Sequence, residues 1–221
     1  MNIVFVLFDN VTQLDFTGPV QFLSRIPGAD VHVVSKTGAA VTTDSGFSIL
    51  PRSSFADCPQ ADIICVPGGH GVRDAIADAQ IVDFVRTQAR GAQYVTSVCT
   101  GAFILGAANL LHGKEATCHW AYTHLLPMFG ATHRPARVVR DGNLVTAGGV
   151  TSGIDFALEL ISDIAGEDVA RTIQLALEYD PAPPFSGGTP ANAPDAILTN
   201  LRAQVYEKAA TEMESVIKKI I

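Results

Sequence analysis

Three shortages narrow what this chain can be. It has no apolar run approaching the roughly 18 residues of a membrane helix. Positive charge is scarce: 15 basic residues against 22 acidic ones leave a net charge of −7, and no basic cluster is longer than Lys218-Lys219. That argues against a protein built to grip nucleic acid. The four cysteines, Cys58, Cys65, Cys99 and Cys118, form no C-x-x-C pair and show no Cys/His spacing typical of zinc, so neither a disulfide framework nor a structural metal is implied. The opening residues MNIVFVLFDN lack the basic stretch of a secretory signal and read as a first strand, so a cytoplasmic location is expected.

What is present describes a globular α/β protein. At 48% hydrophobic and 17% charged residues, the chain has enough apolar surface for one core, and residues 1–221 are read as a single domain without internal repeats. Asn2 to Phe8 is a continuous apolar run, as expected of a central strand buried on both faces. A helix is predicted to begin near Thr17 with Pro19 in its first turn. Further strands are predicted at Asp30–Ser35 and Asp62–Val66, with a hairpin at 40–54 added to the sheet and a helix over 72–90. Asp141-Gly142-Asn143 is a hairpin signal, and helices follow at 154–164 and 167–178. After a proline- and glycine-rich arm from Pro181 to Pro194, residues 195–221 carry an apolar stripe at helical spacing (Ile197, Leu201, Val205, Ala209, Met213, Val216, Ile220), which packs either on its own domain or across a partner. Strands alternating with helices imply a mostly parallel sheet covered on both faces.

The stretch QYVTSVCTGAFILGAANLL, Gln93 to Leu111, carries the chemistry. Its first half reads as a strand and its second as a helix running to Leu111, with Cys99 at the junction. A helix N-terminus offers unpaired N–H groups and partial positive charge, which favours thiolate over thiol. Thr100-Gly101 leaves almost no loop, so Cys99 sits on a turn resembling the nucleophile elbow of hydrolases. The alternative for any cysteine is simple core packing.

Two other strand ends face the same edge. Asp15 follows the first strand, where it either caps the next helix or exchanges protons with the thiol. Gly68-Gly69, after the third strand, is either a tight turn or a source of N–H groups for an oxyanion, Gly69 being the candidate donor. Thr100 either hydrogen-bonds near the sulfur or merely occupies the first helical turn. His119 is placed as a base for Cys99 or as a structural histidine, and Trp120, Tyr122 and Tyr179 line a pocket or pack in the core.

VTSVCTGAFILGAANLL, VPGGHG, LDFTGP, ATCHWAY and TAGGVTSGIDFALEL resemble, in order and spacing, the ThiJ/PfpI superfamily of class I glutamine-amidotransferase-like domains, and most closely its isocyanide hydratase branch. The likeness covers nearly the whole chain, including LEYDPAPPF and the C-terminal arm at about 181–221. Thr100 stands where many members have histidine, and Asp15 where several have glutamate; both differences point to the hydratase branch. The resemblance implies a flavodoxin-like three-layer sandwich, a homodimer, and neither metal nor organic cofactor. It also implies an isocyanide substrate hydrated to the N-formamide, with Cys99 as nucleophile, Asp15 as acid/base, and Gly69 or Val150 helping to steady intermediates. Two rivals remain open: a ligand- or redox-sensing domain, and glyoxalase-type aldehyde detoxification. Related domains are fused to helix-turn-helix regulators, but residues 186–221 hold one predicted helix with four basic and four acidic side chains, too little for such a DNA-binding region.

Overall fold

The computed structural model describes all of residues 1–221. Its elements run β1 (Asn2–Leu7), α1 (Gln13–Leu23), β2 (Asp30–Ser35), β3 (Val41–Thr42), β4 (Ser48–Ile49), β5 (Ser53–Ser54), β6 (Ile63–Val66), α2 (Val72–Ala75), α3 (Ala79–Gly91), β7 (Tyr94–Val98) and α4 (Ala102–Ala107). They continue with β8 (Glu115–Ala116), a 3₁₀ helix over Trp120–Phe129, β9 (Thr132–His133), β10 (Val138–Asp141), β11 (Leu144–Ala147), α5 (Ser152–Ala165), α6 (Glu167–Ala176), α7 (Asp195–Leu201) and α8 (Glu207–Ile220).

The central sheet has seven strands in the order β10-β11-β7-β6-β1-β2-β5, and only β10 runs antiparallel. Ile3, Val4, Phe5 and Val6 are all fully buried, because β1 lies between β2 and β6 with helices above and below. That is why its sequence is a continuous apolar run instead of an alternation. The chain leaves β1 toward β2 on one side and returns to β6 and β7 on the other. Ligand sites in open parallel sheets form at such a reversal, beyond the carboxyl ends of the strands.

Several local expectations are corrected. Helix α1 starts at Gln13, not near Thr17, because Thr12 is the last extended residue and the Asp15 N–H already bonds back to the Thr12 carbonyl at 3.1 Å; Pro19 therefore lies inside the helix. The β3–β4 hairpin does not join the main sheet. It is tied to the loop after β1 instead, through Asn10 N–H to the Thr42 carbonyl (2.9 Å) and Thr42 N–H to Asp9 Oδ1 (2.8 Å). Only β5 joins, parallel to β2. The helix predicted over 72–90 is broken, since Asp78 is extended and caps α3 by accepting from Gln80 N–H at 2.9 Å. The helix after Cys99 ends at Ala107 rather than Leu111, where Asn109 turns to φ 60°.

The C-terminal stripe is also revised. The last helix packs on its own domain, yet through Ala210, Met213 and Ile217, while Ile197, Leu201 and Val205 stay exposed. Between α7 and α8 lies one π-helical turn, Arg202–Tyr206. Its extra residue rotates the inward face, so the stripe members Ile197, Leu201 and Val205 face out while the later members Ala209, Met213 and Val216 still pack inward.

Candidate active site

Strand β7 ends at Val98, and Cys99 turns sharply with φ 59°, a left-handed conformation that only surrounding structure makes tolerable for a side-chain-bearing residue. The elbow is pinned by Cys99 N–H donating to the Gly148 carbonyl at 2.9 Å. Gly101 must be glycine: a Cβ there would lie 2.2 Å from the Val66 carbonyl oxygen.

Asp15, 1% exposed, reaches across from α1. Its Oδ2 accepts the Gly68 N–H at 2.9 Å, while Oδ1 is buried without a hydrogen bond of ordinary geometry. Burial pushes the Asp15 pKa up to about 7, with Gly68 N–H and the neighbouring Cys99 thiol pulling the other way. Asp15 is therefore no helix cap; its carboxyl is spent on Gly68 and held beside the sulfur. Its position is also shifted, from the loop after β1 to the first turn of α1.

The expectation that the helix start favours thiolate is overturned. Burial, and then the charge of Asp15, raise the Cys99 pKa well above its ordinary value, and the N–H groups of Thr100 and Val150 offset only part of this. Desolvation of a fully buried sulfur outweighs the partial charge of a short 3₁₀ turn leading into a six-residue helix. The resting group is a thiol next to a carboxyl that titrates near neutrality.

Thr100 meets the sulfur through its backbone N–H and not its hydroxyl, whose Oγ1 accepts the Gly69 N–H at 3.1 Å and ties two strand-end turns together. Gly68 N–H and Gly69 N–H are thus both occupied, so the Gly69 donor expected for an oxyanion is taken. The N–H groups that act on the sulfur are those of Thr100 and Val150, the latter held at φ 32°.

A cavity of about 390 Å³ opens above Cys99. Thr100, Gly69, Val150, His119 and Tyr122 line it, and Tyr206, Ala209 and Met213 of the C-terminal arm wall one side. Thr12, Asp44, His70, Arg73 and Glu212 complete its boundary, and the Arg73–Glu212 ion pair (2.7 Å) ties α2 to α8 there.

His119 lines this cavity but is not placed as a base. Its Nδ1 accepts the Ala121 N–H at 3.3 Å, and burial lowers its pKa to about 4, so it is a neutral ring with its free lone pair used. Two aromatic candidates are displaced. Trp120 faces a neighbouring groove with Arg202 and Glu207, not the Cys99 cavity. Tyr179 packs edge-on to Phe22 and donates its hydroxyl to Asp155 Oδ1 at 2.6 Å, and it does not line the Cys99 cavity. Sequence reasoning missed Tyr206 and Asp44. Tyr206 had one available signal, as the sole aromatic residue of 195–221.

The DJ-1/PfpI family matches residues 1–163. Isonitrile hydratase of Pseudomonas putida is 50% identical over 223 residues, covering 96% of this chain and 98% of that protein. The HTH-type transcriptional regulator GbdR of Pseudomonas aeruginosa is 29% identical across 81% of this chain, but only 51% of the regulator is covered. Among solved structures, a THiJ/PfpI family protein from Pseudomonas syringae superposes with a TM-score of 0.91 at 38% identity, covering 96% of this chain and 90% of that one.

Proposed function

The chain belongs to the DJ-1/PfpI family, and from that premise we propose that it hydrates isocyanides, R–N≡C, to N-formamides, with residues 1–221 acting as one domain. The carrying observation is the 50% identity, nearly end to end, with an isonitrile hydratase, isonitrile being another word for isocyanide. Regulators such as GbdR share less identity and only half their length.

The arrangement of Cys99 and Asp15 supports a covalent route. The terminal isocyanide carbon is electrophilic, and the sulfur is a strong nucleophile once its proton leaves. Asp15, titrating near 7, takes the thiol proton as sulfur attacks and returns it to the same carbon. The product is a thioimidate, R–N=CH–S–Cys99. Asp15 then takes a proton from water as its oxygen adds to that carbon and hands the same proton to the nitrogen, giving R–NH–CH(OH)–S–Cys99, whose hydroxyl proton passes to sulfur in the next step. Collapse of the tetrahedral adduct breaks the C–S bond, expels Cys99 as thiol, and leaves R–NH–CHO. The N–H groups of Thr100 and Val150 steady the sulfur whenever it carries charge. Two residues whose pKa values are both raised by burial share one mobile proton, which suits a cycle that moves that proton out and back.

The test is direct: incubate the protein with phenyl isocyanide and follow N-phenylformamide. Formation by the native protein, with a thioimidate mass on Cys99 under single-turnover conditions, supports the scheme. Undiminished turnover by Cys99→Ala would refute it.

A further inference from the structure

Tyr206 stands outside the chemistry just described, yet the chain takes an unusual course to deliver it. The residues facing inward at the end of the chain are Tyr206, Ala210, Met213 and Ile217, spaced by four, three and four. A regular helix continuing from Ile197, Leu201 and Val205 would turn a different face inward. The π-turn Arg202–Tyr206 makes the switch, and such single-turn insertions recur at functional sites. Tyr206 lands beside the cavity, its ring centroid 5.2 Å from that of His119 and 5.9 Å from that of Tyr122. Trp120 packs edge-on behind it at 5.0 Å, and Arg202 lies over the Trp120 ring, so the wall is braced from outside. Close to Cys99, the charge of the sulfur reaches both Tyr122 and Tyr206. The cavity thus presents three ring surfaces and the Met213 side chain to whatever is attached to the carbon that Cys99 attacks.

We infer that Tyr206, placed by the π-turn, is the specificity-determining wall for the R group and makes the site favour flat aromatic isocyanides over puckered aliphatic ones of equal size. This rests on the hydratase reading. A planar ring gains offset or edge contacts with His119, Tyr122 and Tyr206, whereas a saturated ring gains only buried area. The side chain acts through its ring and not its hydroxyl, so phenylalanine should replace it and leucine should not.

Phenyl and cyclohexyl isocyanide form the matched pair for the test. In Tyr206→Phe the ratio of their kcat/KM values should stay near that of the native protein; in Tyr206→Leu it should fall about three- to tenfold, mainly through KM for the phenyl substrate, as expected for losing one or two aromatic contacts. Leucine keeps an apolar contact with Trp120, so the arm stays packed. A second readout does not need turnover: rates of Cys99 modification by N-phenyl- and N-cyclohexylmaleimide, followed by peptide mass, should show the same change in ratio. An unchanged ratio in Tyr206→Leu, or equal losses for both members of each pair, would overturn the assignment. If the native protein hydrates neither isocyanide, the hydratase reading fails, and the maleimide ratio still decides whether Tyr206 selects for aromatic groups at Cys99.

Discussion

Burial raises the pKa of both Cys99 and Asp15, and the Asp15 charge raises that of Cys99 further, which has consequences for both activity and stability. Cys99→Ala should abolish formamide formation, because no other nucleophile stands at the elbow. Asp15→Asn should lower kcat by about 10²–10⁴, the usual worth of a positioned acid/base, in steady-state assays with an aryl isocyanide. Native kcat/KM should rise with pH through an apparent value near 7, as the Asp15 carboxyl loses its proton and becomes able to accept that of the thiol; the asparagine variant should lose that limb. For stability the sign runs the other way. The folded pKa of Asp15, about 7, lies above the ordinary 3.8, so its contribution is fully present below pH 3.8 and is lost as pH rises through 7. Asp15→Asn should therefore be the more stable protein above pH 7, by up to a few kcal/mol on the order of 1.4 per pKa unit. The advantage should vanish in acid. Paired thermal melts at pH 4 and pH 8 check it, and a variant no more stable at pH 8 would contradict the buried, unrelieved carboxyl.

At the scale of elements, the site is three strand-end turns pressed together. Their closeness shows in what a methyl group would strike: a Cβ on Gly68 would lie 2.6 Å from Thr100 N and 2.9 Å from Asp15 Oδ2. Gly68→Ala should leave secondary structure intact by circular dichroism yet cut kcat/KM about a hundredfold, since the carboxyl and elbow must separate by a fraction of an ångström or more. Gly101→Ala, against the Val66 carbonyl, should act on stability instead, costing about 1–3 kcal/mol in denaturant titration. The apolar runs 2–8 and 62–66 and the strand-to-elbow junction at Cys99 are legible because burial on both faces leaves a direct mark on composition. The start of α1 is not. Gly18-Pro19 looks like a helix beginning, whereas the helix already includes Asp15 because the Asp15 N–H bonds back to the Thr12 carbonyl. The hairpin at 41–49 was recognisable as a hairpin, but its attachment to Asn10 and Val11 depends on backbone pairing with no side-chain signature.

For the whole molecule, the strand order sets β1, β6 and β7 side by side, so residues 15, 68 and 99 meet at one edge although 84 positions separate the first from the last. The C-terminal arm then covers that edge from above, with Ala210, Met213 and Ile217 buried beneath it. It leaves Ile197, Leu201 and Val205 exposed on α7, and Leu175 and Phe185 exposed nearby in sequence. Such surface suits a second copy of the chain. Light scattering should give a mass near twice the chain's 23.3 kDa, and Ile197→Asp combined with Leu201→Asp should shift it toward the single-chain value. A native mass of one chain would exclude the homodimer.

The amino-acid order by itself determined the alternation of buried strands and covering helices, the elbow at Cys99, and the family, because those follow from local composition and from motifs that survive in linear spacing. Tertiary structure alone decided the protonation of the site and its walls. Whether Cys99 rests as thiol or thiolate depends on how much solvent the fold removes, and burial outweighed the helix-start effect that the local sequence announces. Gly69 has a free N–H on paper and a satisfied one in the fold, since Thr100 reaches it. Trp120 and Tyr179 read as pocket residues but turn elsewhere, while Tyr206 enters the cavity through one added residue in a helical turn. Spacing along a chain counts positions, and a π-turn changes which face a given position presents.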